Sequence, residues 1–217
     1  MKLTKYGHCC LLIEVNNKRI LTDPGKFSDG FGELTGIDLI VITHEHADHF
    51  HSAAVIHILE KNPQAQVVTN SSVGKLLAEL GVTHEVLEGD TTGECAGVAL
   101  HAIDGRHAEI YEDFGQVQNT GFMIEHTFFY PGDAYIVPSE KVEILALPVA
   151  GPWCKVSEAL RYGLDVKPQL AIPVHDAVLS EEGKNVVYPF FNRMLGEAGI
   201  TFTPLTHGET KEFGDRD

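Results

Sequence analysis

The run Thr43-His44-Glu45-His46-Ala47-Asp48-His49 offers three imidazoles and, at Asp48, a carboxylate beside them within six residues, with no thiolate among them. Imidazole nitrogens and carboxylate oxygens are ligands for Zn²⁺, Mn²⁺ and Fe²⁺. Helical metal motifs set two histidines four apart so that both share one face. His44 and His46 are two apart, a spacing that an irregular turn at a strand end can converge on one ion. Asp48 and His49 then point elsewhere and could hold a second ion close by. The plainer alternative is a polar loop with incidental histidines, or a tract that binds metal without chemistry. The density argues against it: four of the chain's twelve histidines fall between Ile42 and Ser52.

The elements that must hold these residues read as strands first, then as strands alternating with helices. Leu11–Val15 and Arg19–Thr22 are strand runs joined by an Asn16-Asn17 turn. Asp23-Pro24-Gly25 breaks the chain, and residues 26–36 form a loop with no phosphate-binding pattern. Asp38–Ile42 has four consecutive apolar residues, as expected of a strand covered on both faces. A helix is expected over 53–61, a strand over 66–69, and a helix capped by Ser71 or Ser72 that runs to Leu80. Further strands are expected over 98–103, 121–130, 142–147, 170–174 and 201–205, with helices near 156–162 and 186–198. With no internal repeat or linker, this predicts one α/β domain over residues 1–217.

His44-x-His46-x-Asp48-His49 after an apolar strand resembles the signature of the metallo-β-lactamase superfamily of metallohydrolases. The superfamily's other motifs follow in order. They match Asp23 in Leu21-Thr22-Asp23-Pro24, His107 in Asp104-Gly105-Arg106-His107, Asp133 in Phe129-Tyr130-Pro131-Gly132-Asp133, and His175 in Ile172-Pro173-Val174-His175. Tyr6-Gly7-His8 before an apolar strand resembles the compact, L-ascorbate-6-phosphate-lactonase-like branch.

The resemblance implies a four-layer αββα sandwich with two metal sites at one edge. His44, His46 and His107 would bind the first ion, Asp48, His49 and His175 the second, and Asp133 would bridge them. Zinc suits this N/O donor set and redox-free hydrolysis; manganese and iron share the donors. Two cations sharing a water can bring its pKa from 15.7 toward about 7, which supplies hydroxide at neutral pH. The implied activity is hydrolysis of an ester, lactone, amide or phosphoester bond of a small metabolite. Asp48 would accept the attacking water's proton. His8 borders the site in that branch and is a candidate catalytic or substrate-contacting residue. Asp23 would accept a ligand imidazole's N–H, or merely start a turn. His101 competes with His107, but it lies inside an alternating strand, whereas His107 ends it. Trp153 and Cys154 follow a strand end and serve either packing or the pocket.

Composition fits a soluble enzyme. A chain of 217 residues, 43% hydrophobic, can bury a core without disulfides, and four cysteines with two adjacent make no staple pattern. No apolar run approaches the ~20 residues of a bilayer crossing. The polar Gly7-His8 interrupts any secretory signal, so a cytoplasmic location is expected. Sixteen basic against thirty-one acidic residues, with no basic cluster, argue against nucleic acid as partner. The missing export signal argues against a secreted lactamase, and the short length against the superfamily's nucleases with their inserted domain. A compact hydrolase of small, including anionic, metabolites is the expectation. The alternatives are an iron-dependent oxidoreductase and a non-catalytic metal-binding protein on the same scaffold.

Overall fold

A computed structural model describes residues 1–214 and folds them into two seven-stranded mixed sheets. The first contains β1 (Lys2–Lys5), β2 (Leu11–Val15), β3 (Lys18–Thr22), β4 (Leu39–Val41), β5 (Gln66–Thr69) and β6 (Glu85–Val86). The second contains β7 (Thr91–Cys95), β8 (Val98–Arg106), β9 (Gln118–Ile124), β10 (Phe128–Tyr130), β11 (Ile144–Pro148), β12 (Leu170–Val174) and β13 (Thr201–Phe202), in the reverse spatial order. A last strand, β14 (Thr210–Glu212), returns to the first sheet and pairs antiparallel with β1. Helices α1 (Ser52–Lys61) and α2 (Ser71–Glu79) belong to the first half, α3 (Val156–Val166) and α4 (Glu181–Glu197) to the second.

Side chains alternate across a strand, and this sorts the apolar residues into three layers. Leu11, Ile13, Leu39 and Val41 face the other sheet, where they meet Leu100, Phe122, Phe128, Ala146 and Ile172. Leu12, Leu21, Ile40 and Ile42 face outward against Val55 and Ile58 of α1 and Val73 and Leu77 of α2. Phe129, Leu145, Leu147 and Ala171 face the opposite way against Ala159 and Tyr162 of α3 and Phe191 and Leu195 of α4. Three apolar layers between four layers of secondary structure make an αββα sandwich. β4, β11 and β12 are apolar at every position because both of their faces are covered.

The differences from expectation have local causes. Asn70, rather than Ser71 or Ser72, caps α2: its side chain accepts the Val73 N–H at 3.1 Å. α4 begins at Glu181 because Ser180 caps it through the Gly183 N–H. Its first turn is too polar to show helical periodicity. The strand expected over 201–205 is only Thr201–Phe202, and β1 and the edge strands β6, β7 and β14 are short or polar elements that alternation does not reveal. Asn16 and Asn17 both adopt positive φ (49° and 60°), the two-residue turn that matches strand twist between β2 and β3.

β3, β4, β8, β10 and β12 deliver their following residues to one edge. β3 and β4 are parallel, β8 and β10 each run antiparallel to β9, and β10, β11 and β12 are parallel. Asp23, the 43–49 turn, His107, Asp133 and His175 therefore leave strand ends that open onto that edge, where α/β folds gather their sites.

Candidate metal centre

Two groups of side chains converge there. His44, His46, His107 and Asp133 each offer a ligand atom within 4.8 Å of the others, and so do Asp48, His49, Asp133 and His175. Asp133 belongs to both groups. Its Oδ1 lies 3.1 Å from His49 Nε2, and its Oδ2 lies 3.0 Å from His175 Nε2 and 3.5 Å from His107 Nε2. Asp48 Oδ2 is 3.4 Å from His175 Nε2. A tight turn makes the local part of the arrangement: the N–H groups of His49 and Phe50 both donate to the His46 carbonyl, at 2.9 and 2.8 Å.

The imidazoles are held from behind. Asp23 Oδ2 is 2.6 Å from His49 Nδ1 and accepts the Thr43 hydroxyl at 2.7 Å, while Oδ1 accepts the Thr43 N–H at 2.8 Å. Thr43 Oγ1 in turn lies 2.9 Å from His44 Nδ1, and His107 Nδ1 donates to the Ala108 carbonyl at 2.7 Å. Each of these contacts occupies the outer nitrogen and leaves the Nε2 lone pair directed inward. Among the described residues several buried atoms here have no hydrogen-bond partner: His8 Nε2, His44 Nε2, His107 Nε2, Asp133 Oδ1 and both nitrogens of His175. Buried polar atoms are rarely left so. A cluster of orphaned nitrogen and carboxylate donors facing one another fits divalent cations with N/O ligation.

Close backbone approach sets the frame. A Cβ on Gly25 would sit 1.8 Å from the Asp48 carbonyl oxygen, so only glycine lets the loop after Asp23 pass under the Asp48-His49 backbone. Gly132, at φ +64°, has Asn119 Oδ1 2.3 Å from where a Cβ would stand. That Asn119 oxygen accepts the Asp133 N–H at 2.9 Å and aims the carboxylate. Asp23 (φ 36°) and His175 (φ 61°) also occupy the left-handed region, a conformation non-glycine residues keep only where surroundings enforce it.

The electrostatics follow from burial and crowding. Burial alone would raise the Asp133 carboxyl, but His49 and His175 hold it well below its usual range. Burial would raise Asp48, but the His175 and His8 imidazoles, 3.4 and 3.5 Å from its Oδ2, hold it below its usual range. His49 and His175 are raised well above the ordinary imidazole value, because Asp133, with Cys9, outweighs their burial. Burial pushes His44 well down, and neighbouring imidazoles add to it; His46 is lowered for the same reasons.

His8 sits beneath the second group and is fully buried. Its Nδ1 accepts the Ala177 N–H at 3.2 Å, which places the ring proton on Nε2, 3.5 Å from Asp48 Oδ2. Its carbonyl accepts the His175 N–H at 3.0 Å. Trp153 Nε1 donates to Asp133 Oδ2 at 3.0 Å, while the Cys154 thiol reaches only the Pro148 carbonyl, at 3.9 Å. The sequence shows Trp153 only as an aromatic after a Gly-Pro break at a strand end. His101 stands outside both groups, with Nε2 2.8 Å from Asp90 Oδ1 and Nδ1 against Glu140. One buried pair has no sequence signal: Lys5 Nζ donates to Asp176 Oδ1 at 2.7 Å and to the Pro173 carbonyl at 2.9 Å.

The sequence and the fold are similar to those of known proteins. The family model described as a β-lactamase superfamily domain matches residues 2–175. Protein Rv0786c of Mycobacterium tuberculosis is 35% identical over 193 residues, covering 87% of this chain and 90% of its own. A UPF0173 metal-dependent hydrolase of Methanocaldococcus jannaschii is 28% identical, covering 80% and 83%. Among solved structures, Igni18, a metallo hydrolase of Ignicoccus hospitalis, superposes with a TM-score of 0.77 at 20% identity, covering 98% of this chain and 99% of its own.

Proposed function

This chain belongs to the β-lactamase superfamily, and from that premise we propose that it is a metal-dependent hydrolase. It would use two divalent cations, most simply zinc, and act on an ester, lactone, amide or phosphoester bond of a small molecule. His44, His46 and His107 hold the first cation, Asp48, His49 and His175 the second, and Asp133 serves both. The observation that carries this reading is the pair of buried, unpartnered Nε2 atoms of His44 and His107, whose outer nitrogens are already bonded, together with the unpartnered atoms of Asp133 and His175 beside them. The naming of a relative as a metal-dependent hydrolase supports it. When bound, the cations supply Lewis acidity, acidifying water and drawing charge from the oxygen of the bond to be cleaved.

The chain's own groups do the rest. Asp48 is partly exposed, its side chain at 20%, and accepts the proton of the attacking water. His8, with Nε2 3.5 Å from Asp48 Oδ2, favours the ionised form of the Asp48 carboxylate. Trp153 and Asn119 hold Asp133 in place from its Oδ2 and its backbone. Asp23 fixes the tautomer of His49.

The test is a zinc titration of chelator-stripped protein. His49 and His175 retain protons at neutral pH in the cation-free chain because their pKa values are raised. Ligation requires them neutral, so uptake should release protons and weaken as pH falls. Two equivalents should bind, and hydrolysis of p-nitrophenyl butyrate should return with them. Activity that survives chelation would end the metal hydrolase reading, and an iron-coloured, redox-active protein as purified would favour the oxidoreductase.

His8→Ala should lower kcat roughly tenfold with both cations retained, the scale seen when a ligand loses its outer partner. Without the Nε2 donor, Asp48 becomes more basic, so the acid limb of the kcat profile should move to higher pH. His8→Gln, which restores an N–H, should recover part of both. An unmoved limb would reduce His8 to packing.

A further inference from the structure

The ligand cluster forms the floor of an open pocket of about 360 Å³, and the walls above it differ sharply from the floor. They are made by Ala47, Ile110, Phe114, Gly115, Pro152 and Trp153. None carries a charge. The one polar atom among these side chains, Trp153 Nε1, is committed to Asp133. Phe114 is 72% exposed and Tyr111, bridged to it through the backbone, 68%, so the loop between β8 and β9 presents apolar surface to solvent beside the cluster. Phe27, also exposed, lies edge-on to His8 with ring centroids 5.5 Å apart. The cationic side chains nearest in sequence to the pocket do not line it. Arg106 Nε donates to Gln116 at 2.9 Å, Lys155 faces Glu158 at 3.7 Å, and Lys26 is absent from the walls.

We propose that the substrate is neutral and carries an apolar acyl, alkyl or aryl group that lies against this wall; phosphorylated and carboxylated metabolites are disfavoured. The inference rests on the hydrolase reading and names its substrate class. Cation charge acts at the floor, on the bond to be cleaved. The wall decides what hangs from that bond. A phosphate or carboxylate there would lose water without gaining a partner, and the chain's formal charge of −15 disfavours its approach. An apolar group gains by covering Ile110, Phe114 and Trp153.

The test compares p-nitrophenyl hexanoate with mono-p-nitrophenyl adipate on the zinc-loaded chain. The two share leaving group and scissile bond and differ by a terminal carboxylate, which in the adipate is too distant to attack its own ester efficiently. The hexanoate should be favoured by about a hundredfold or more in kcat/KM; parity or preference for the adipate overturns the proposal while leaving the hydrolase intact. If neither ester is cleaved, the ester part of the hydrolase reading fails, and binding still decides the wall's preference. Trp153 is the chain's one tryptophan, so its fluorescence should respond to butyranilide and not to the same concentration of succinanilic acid; the reverse order overturns the proposal. Phe114→Ala, at an exposed position, should lower kcat/KM for the hexanoate roughly tenfold, chiefly through KM, and spare the acetate. Equal losses on both esters would count against the wall.

Discussion

Replacing Asp133 by Asn should strip cations from both halves of the cluster and lower kcat/KM for a p-nitrophenyl ester by about a thousandfold or more. The size follows from position. Among the described residues, Asp133 is the one within ligand reach of both groups, through Oδ1 on one side and Oδ2 on the other. Asn keeps the shape and can still accept the Trp153 N–H, but offers one weak oxygen and no charge. Three powers of ten correspond to about 4 kcal/mol, the order expected when Lewis-acid stabilisation is lost. The cation-free variant should also titrate differently. Asp133 is the leading cause of the raised His49 and His175 values, so both imidazoles should shed protons at lower pH in the variant. Metal content after dialysis, read by inductively coupled plasma mass spectrometry, checks the first claim, and imidazole shifts followed by NMR check the last. Retention of two cations would remove Asp133 from the shared position.

The parts of this arrangement that could be read in the sequence are those in which chemistry and local geometry coincide. His44 to His49 are neighbours along the chain, and a turn after a doubly buried strand needs no tertiary information to be noticed. Asp23, His107, Asp133 and His175 are single residues, legible because each ends a strand and because the superfamily's motif order says where to look. The reach of Trp153 to Asp133 was not legible: it depends on how the loop after β11 folds back over β10. Nor was the neutral character of the wall, since Ile110 and Phe114 sit in a loop with no period, between acidic residues that suggest only a solvated surface. Strand β1 and the edge strand β14 that pairs with it were hidden for a related reason. Their pairing spans more than two hundred residues, with Lys2 opposite Glu212, and neither strand alternates strongly enough to announce itself.

The same distance hides Lys5, and its replacement carries the second large expectation. Lys5→Met should destabilise the fold by about 3 to 5 kcal/mol, the usual penalty for leaving one member of a buried ion pair alone. Both side chains are almost fully enclosed, 3% and 5% exposed, at 2.7 Å separation. Burial draws the Lys5 ammonium below its ordinary pKa, and Asp176 pulls the other way. Asp176 also accepts the Tyr188 hydroxyl at 2.5 Å, so the pair ties β1, the residue after His175, and α4 together. That junction is where His175 is held at φ 61°. Loosening it should therefore cost more than stability: the second cation should bind more weakly than the first, although Lys5 touches no ligand atom. For a chain of this size the destabilisation corresponds to a melting temperature lower by roughly 10 °C. Lys5→Met combined with Asp176→Leu removes both charges and should recover much of the stability, but not the His175 turn. If the double variant regains full affinity for the second cation, the ion pair serves the fold alone. If Lys5→Met melts within about a degree of the parent, the pair is not the clamp its burial indicates.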